Sequence, residues 1–260
     1  MKPVMRIPGL TALMTCIGLM LVWQLAAQLY DSASLPTAWA ALQELPRIFA
    51  DPQSAMDIYA SVRRMVIGFV LALLCATPLG LLMGRSKTLA TALNPLLMVV
   101  YPIPKAALMP LIMLWLGVGD SAKILVVFLG VSLPMIYHSY QGARAVEEKM
   151  LWSAAAMGMS STRRMLFVVL PAAMPEILMG CRTGIVMGLI TMITSEMISR
   201  QVGAGNILFN AMDMAQYETV YAMIIVIGAM GIALDMGFEA VRTKLTSWAD
   251  RQTDNTVSSL

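Results

Sequence analysis

The stretch Val146–Gly180, VEEKMLWSAAAMGMSSTRRMLFVVLPAAMPEILMG, is the longest in the chain able to sit in water between two hydrophobic spans. Small residues at Ser153, Ala154, Ala155 and Ala156 let a short helix approach another surface closely, and Gly158 permits a sharp turn after it. Arg163 and Arg164 mark a cytoplasmic location, because basic residues concentrate on that side of a membrane. Leu170 and Pro171 are expected to stop the piece. The residues alone leave two readings open: an ordinary amphipathic loop, or a segment that docks on a partner.

Outward from this stretch the chain is apolar. Of its 260 residues 58% are hydrophobic and only 13% charged, with a mean hydropathy of +0.74, far more apolar than a soluble domain needs. The sequence predicts an all-α, polytopic membrane protein. Cys16, Cys75 and Cys181 each lie in a different apolar run, where they behave as small hydrophobes and not as a disulfide or metal set. The net charge of +3 is small and points to no nucleic-acid partner.

Six membrane spans are expected. The first is the uncharged run Ile7–Tyr30, preferred as a retained span over a signal peptide cut near Ser32-Ala33-Ser34. Asp31 to Arg64 mixes charges with Pro36, Pro46 and Pro52, so a surface segment is expected there, with a short interfacial helix carrying Trp39, Leu42 and Leu45. Met65–Gly84 is the second span and holds Pro78. Thr88–Gly119 is the third, broken or bent by Pro95, Pro102, Pro104 and Pro110. Ile124–Ala143, Ile177–Glu196 and Val220–Leu234 complete the set. The organisation expected is an end and first span over 1–30, a periplasmic surface segment over 31–56, a core over 57–245 that includes the loop 146–171, and a cytoplasmic tail over 246–260.

Orientation follows from basic residues. With both ends inside, eleven are cytoplasmic (Lys2, Arg6, Arg85, Lys87, Arg144, Lys149, Arg163, Arg164, Arg242, Lys244 and Arg251) against three outside, Arg47, Lys123 and Arg200. Arg63 and Arg64 fall at a boundary.

Small residues, Gly158, nine residues and then Val168-Val169-Leu170-Pro171 resemble the EAA loop of ABC importer permeases. The Glu-Ala-Ala opening of that loop would fall on Trp152, Ser153 and Ala154, and the first two depart from it. Elsewhere Tyr101-Pro102-Ile103-Pro104-Lys105, Leu114-Trp115-x-Gly117-x-Gly119, Ser121-x-Lys123, Gly180-x-Arg182 and Ser195-Glu196-Met197 with Gly203-x-Gly205 are similar to the nitrate, taurine and aliphatic sulfonate permease group. The resemblance covers roughly 35–244 and implies a type I, MetI-like importer permease in a bacterial inner membrane. It also implies that the loop docks on an ABC ATPase through Trp152, Ser153, Ala154, Gly158, Leu170 and Pro171. The partners it implies are two ATPase copies, a second permease copy and a periplasmic solute-binding protein delivering a small solute, a nitrate-, sulfonate- or taurine-like anion or a related small organic nutrient.

Charges inside apolar runs cost about 2.5 to 3.5 kcal/mol on insertion scales, so each needs a partner, water or a role. Lys105 either lines the pathway and attracts anions, or snorkels or pairs with an acid. Glu196 either lines an outer gate or ends the fifth span. Arg182 and Asp235 reach similar depth and either form a buried ion pair, or Arg182 snorkels to lipid phosphates while Asp235 caps a helix. His138, the lone histidine, is expected to be a packing or capping residue, and Gly203, Gly205 and Asn206 a turn. No Gly-Lys dipeptide occurs, so the chain has no phosphate-cradling loop; ATP and magnesium belong to a partner, and the chain needs no cofactor of its own. A secondary transporter would normally show paired midplane charges and two repeated halves, and an enzyme a catalytic constellation. The sequence displays neither.

Overall fold

The computed structural model describes residues 8–246, and their regular structure is entirely helical. The basic residues Lys2, Arg6 and Arg251, and the tail after 246, lie outside the described residues. Helix α1 (Pro8–Tyr30) and the short α2 (Ala38–Ala50) precede α3 (Pro52–Arg85) and α4 (Lys87–Val100). A 3-10 turn over Lys105–Leu108 then leads into α5 (Met109–Leu116), followed by the long α6 (Asp120–Ala145). Next come α7 (Glu148–Ala156), α8 (Ser161–Arg164), a π turn over Met165–Val169, α9 (Leu170–Ser199), α10 (Ala204–Asp213) and α11 (Tyr217–Leu245).

Four stretches are long and apolar enough to cross a membrane: α3, α6, the continuous run from Ser161 to Ser199, and α11. The pair α4 and α5 makes a fifth if taken together, bent by 82° at the break where Pro102 and Pro104 stand. Proline removes a backbone donor and fixes φ, so this break is the one the third span was expected to contain. The apolar part of α1 among the residues compared, Met14–Tyr30, is shorter. The described residues therefore hold four clear crossings and a bent fifth, with α1 beside them, where the sequence suggested six.

Helices α3, α6 and α9 form the centre. Their shared core includes Met65, Ala72, Val131, Met135, Ile177 and Cys181. Between helices in lipid the driving force is close packing, which small residues permit. Gly80 of α3 illustrates it, since a Cβ there would stand 2.5 Å from the Ile136 carbonyl oxygen and 2.7 Å from Ser139 Cβ of α6. A side chain at this position would force the two helices apart.

The second span begins thirteen residues earlier than Met65, at Pro52. Asp51 caps α3 by accepting from the Gln53 and Ser54 N–H groups at 3.3 and 2.9 Å, and Pro52 suits the first turn because its missing N–H would be unpaired there anyway. The Ser54 hydroxyl and N–H hold the Asp51 carboxyl below its usual range. The expected short helix before it is α2, capped by Thr37. Its buried stripe is Ala38, Ala41 and Ile48, however, and Trp39 points outward at 62% exposure.

Pro171 also departs from expectation. It does not stop the loop but lies in the first turn of α9, directly after the π turn, so that the chain runs on as one long helix. An inserted π turn lets the missing proline donor pass without breaking the helix.

Candidate functional site

The segment 146–171 hangs between the last turn of α6 and the first turn of α9. Helix α7 buries Leu151 and Ala154 against the body of the protein and turns Trp152, 66% exposed, and Met157, 76% exposed, away from it. Ser153 is exposed beside them. Gly158 ends α7 at φ +82°, where residues with a Cβ are disfavoured. The Met159 N–H donates to the Ala154 carbonyl at 3.0 Å and the Gly158 N–H to the Ala155 carbonyl at 2.9 Å. These two bonds are the Schellman closure of a helix end, so Gly158 is a built turn and not a flexible joint. Arg85 at the end of α3 donates to Glu148 at 2.9 Å and pins the start of α7. Leu170 is half-buried against the central core, while the next residue of the helix start, Pro171, is exposed.

A second cluster lies at the opposite end of the bundle, where α3 and α6 begin and α9 ends. Glu196 is fully buried. It accepts from Arg64 Nη1 at 2.9 Å, from the Ser61 hydroxyl at 2.8 Å and from the Gly205 N–H at 3.1 Å. Arg64 also donates through Nε to Asp120 at 2.7 Å and through Nη1 to the Val202 carbonyl at 2.7 Å. Lys123, only 1% exposed, donates to the same carbonyl at 2.7 Å, and Arg63 pairs with Asp120. The Ser61 hydroxyl accepts from the Ala204 N–H at 2.9 Å and Asp57 from the Gly203 N–H at 3.3 Å. Three carboxylates and three cations thus share one site, and the otherwise free N–H groups at the start of α10 are satisfied by it. Glu196 neither ends its helix at an interface nor stands open to a channel. It joins α3, α9 and α10.

Sequence reasoning placed only Glu196 of this group. Lys123, counted in the sequence only as a basic residue of the outer side, has its ammonium enclosed in this cluster. The available signal was Asp57-x-x-x-Ser61-x-x-Arg64, a spacing that puts three polar groups on one helical face.

The remaining candidates resolve as follows. Lys105 is buried and pairs with no acid among the described residues: its ammonium is aimed at the carbonyls of Val100, Tyr101 and Ile103, where α4 ends and the chain turns. Arg182 and Asp235 do meet, in a paired geometry with both donor distances at 2.8 Å. The pair is only partly covered, with side chains 46% and 33% exposed in the single chain, so it is not the buried pair expected. Asp235 lies inside α11, which continues to Leu245, and so caps no helix end. His138 is paired with Glu176 at 2.8 Å and stacked edge-on against Tyr137, a packing role.

With this geometry in view, residues 68–247 match the family described as binding-protein-dependent transport system inner membrane component. The chain belongs to that family. It is similar to the taurine transport system permease protein TauC of Escherichia coli strain K12, 32% identical over 242 residues, covering 90% of this chain and 88% of the relative. It is similar to a putative aliphatic sulfonates transport permease protein SsuC of Bacillus subtilis strain 168, 27% identical, covering 87% and 83%. A nitrate import permease protein, NrtB of Synechocystis, is 26% identical, covering 84% and 82%. The protein is the permease component of an ABC transport system and carries no ATPase module. Such a component works with an ATPase and a binding protein.

Proposed function

We propose that this permease imports a small oxyanion or sulfonate, as two copies with two ATPase subunits, in a bacterial inner membrane with both chain ends in the cytoplasm. The names of the relatives support the substrate class, since nitrate, taurine and alkyl sulfonates all present a flat or tetrahedral group of oxygens carrying negative charge. A binding protein hands the solute over at the end of the bundle opposite to the loop. The ATPases bind ATP and magnesium and dock on segment 146–171, with Trp152, Ser153 and Ala154 at the contact and Gly158, Leu170 and Pro171 shaping it. Closure of the ATPase pair then moves the docked segments and tips the helices attached to them.

The observation that carries this reading is the exposed apolar face of α7, Trp152 with Met157, held by a rigid helix end at the water-facing break between two spans. Co-reconstitution with an ATPase and a binding protein tests it. ATP-dependent uptake of labelled nitrate, taurine or ethanesulfonate is expected, and uptake by the lone permease without ATP would refute it.

A further inference from the structure

Two large clefts open on the molecule, and their charges differ. The one beside the Glu196 cluster, about 700 Å³, is lined by Glu44, Asp51, Asp57 and Glu218 with Arg47 as its cation. The other, about 660 Å³, lies between α4 and α6 on the half of the bundle nearer the 146–171 segment. Its polar lining is Asn94, Tyr101, Tyr137, Tyr140, Gln141 and Arg144 with no acid among them; a smaller adjoining cleft shares Asn94, Tyr140 and Arg144 and adds Glu148 together with two cations, Arg85 and Lys87.

The hydrogen bonds in this second cleft leave donors free. Gln141 donates to the Tyr137 hydroxyl at 3.1 Å and Arg144 to the Tyr140 hydroxyl at 3.2 Å, so both phenol protons stay uncommitted. Arg144 lies over the Tyr140 ring, 6.0 Å from its centre. Among the described residues no carboxylate lies within ion-pair distance of Arg144, whereas Arg85 nearby is matched by Glu148. Tyr137, Gln141 and Arg144 follow one another at helical spacing, so they form a polar stripe along a membrane-spanning helix. Such a stripe faces water, a partner or a solute, because lipid satisfies none of these groups. One unmatched cation with several neutral donors in a walled cleft is the chemistry that holds an oxyanion.

We propose that the α4–α6 cleft is a binding site for a small oxyanion on the cytoplasmic side of the transport route, with Arg144 as its counter-charge and Tyr137, Tyr140 and Asn94 as donors. This rests on the import reading above.

The test is charge-selective labelling of the permease alone in phosphatidylcholine vesicles. Cys16, Cys75 and Cys181 are replaced by serine or alanine, and Met98→Cys is introduced, since Met98 lines the cleft and is 75% exposed. Rates are compared for anionic and cationic thiosulfonate reagents, each normalised to a free thiol. The anionic-to-cationic ratio should fall about tenfold with Arg144→Gln, in line with focusing of anions by a charged cleft, and recover with Arg144→Lys. Sodium nitrate or ethanesulfonate should slow the labelling. An unreactive cysteine, a ratio unmoved by Arg144→Gln, or protection by added phosphatidylglycerol but by neither free anion would overturn the site. ATP-driven uptake by the assembled wild-type transporter is measured in parallel. Its absence would refute the import reading, while uptake with an unchanged KM in Arg144→Gln would refute this site alone.

Discussion

Arg64 and Glu196, 132 positions apart in the sequence, meet at 2.9 Å with both side chains withdrawn from solvent. The contact fastens the first turns of α3 to the last turns of α9, and through the Gly205 N–H it also fixes where α10 starts. Both partners carry further bonds, Arg64 to Asp120 and Val202, Glu196 to Ser61. A buried charge pair is favourable only under such complete satisfaction, and breaking it is costlier than forming it is rewarding. Residues bridging three helices at one end of a transporter make that end move as a unit.

Removing one partner should therefore be worse than altering it. Glu196→Ala removes the buried one of the two carboxylates paired with Arg64 and leaves the Ser61 hydroxyl and the Gly205 N–H without their acceptor, a loss of about 3 to 5 kcal/mol by analogy with other broken buried pairs. Glu196→Gln keeps an acceptor for Ser61 and should lose less. Thermal unfolding of the detergent-solubilised permease reads the order, and equal melting temperatures for the two variants would show that the carboxylate matters through its charge and not as a hydrogen-bond acceptor.

Gly158→Val should uncouple transport. No atom lies within 4 Å of a Cβ built at this position, so the substitution adds no clash and acts through the backbone, which at φ +82° disfavours a β-branched residue. Gly158→Asn tolerates that conformation better and should retain more activity. The measurement is stimulation of ATP hydrolysis by loaded binding protein in the assembled complex. Stimulation equal to wild type in the valine variant, with normal assembly, would mean that the turn is not part of the coupling.

Some of this architecture was legible in the sequence and some was not. Gly158 was readable because glycine after a run of small residues has few uses other than a helix end. The break in the third span was readable because two prolines two residues apart cannot continue a helix. Pro171 misled for the same reason, since a proline also fits the first turn of a helix and only the preceding π turn decides which. Arg64 reads as a residue at the boundary of a span, because an isolated charge is expensive in lipid, and a single sequence gives no sign that Asp120 and Glu196 will arrive to pair with it. The contacts of Lys105 are just as hidden. Its partners are backbone carbonyls, which leave no trace in side-chain pattern.

Trp152→Ala should weaken association with the ATPase. A large aromatic 66% exposed on a helix whose other face is packed is placed to enter a partner's pocket, and truncating such an anchor often costs about 2 kcal/mol or more, roughly thirtyfold in Kd. Leu151→Ala, by contrast, removes a residue buried within the permease and should lower its stability instead. Capture of ATPase at limiting concentration separates the two effects. Undiminished capture by Trp152→Ala would make this side chain a lipid or intraloop residue.

The pair of Arg182 with Asp235 links α9 to α11 close to the 146–171 segment, and its surroundings allow a sharper expectation than pairing alone. Glu239 stands 3.9 Å from Arg182 and is itself bonded to Arg242 at 2.6 Å. Asp235→Asn therefore leaves Arg182 beside a second carboxylate, whereas Arg182→Gln strands Asp235 with no other cation in ion-pair contact among the described residues. The arginine variant should be the less stable of the two. Because both side chains are partly exposed in the single chain, the effect should be small in detergent that admits water and larger in a bilayer, where the uncompensated charge faces lipid. Combining Arg182→Gln with Asp235→Asn should recover part of the loss, since it removes both charges at once. Melting temperatures of all four proteins in bilayer nanodiscs close the cycle. If the double variant loses the full sum of the single losses, with no coupling between them, the two residues touch without holding α9 and α11 together.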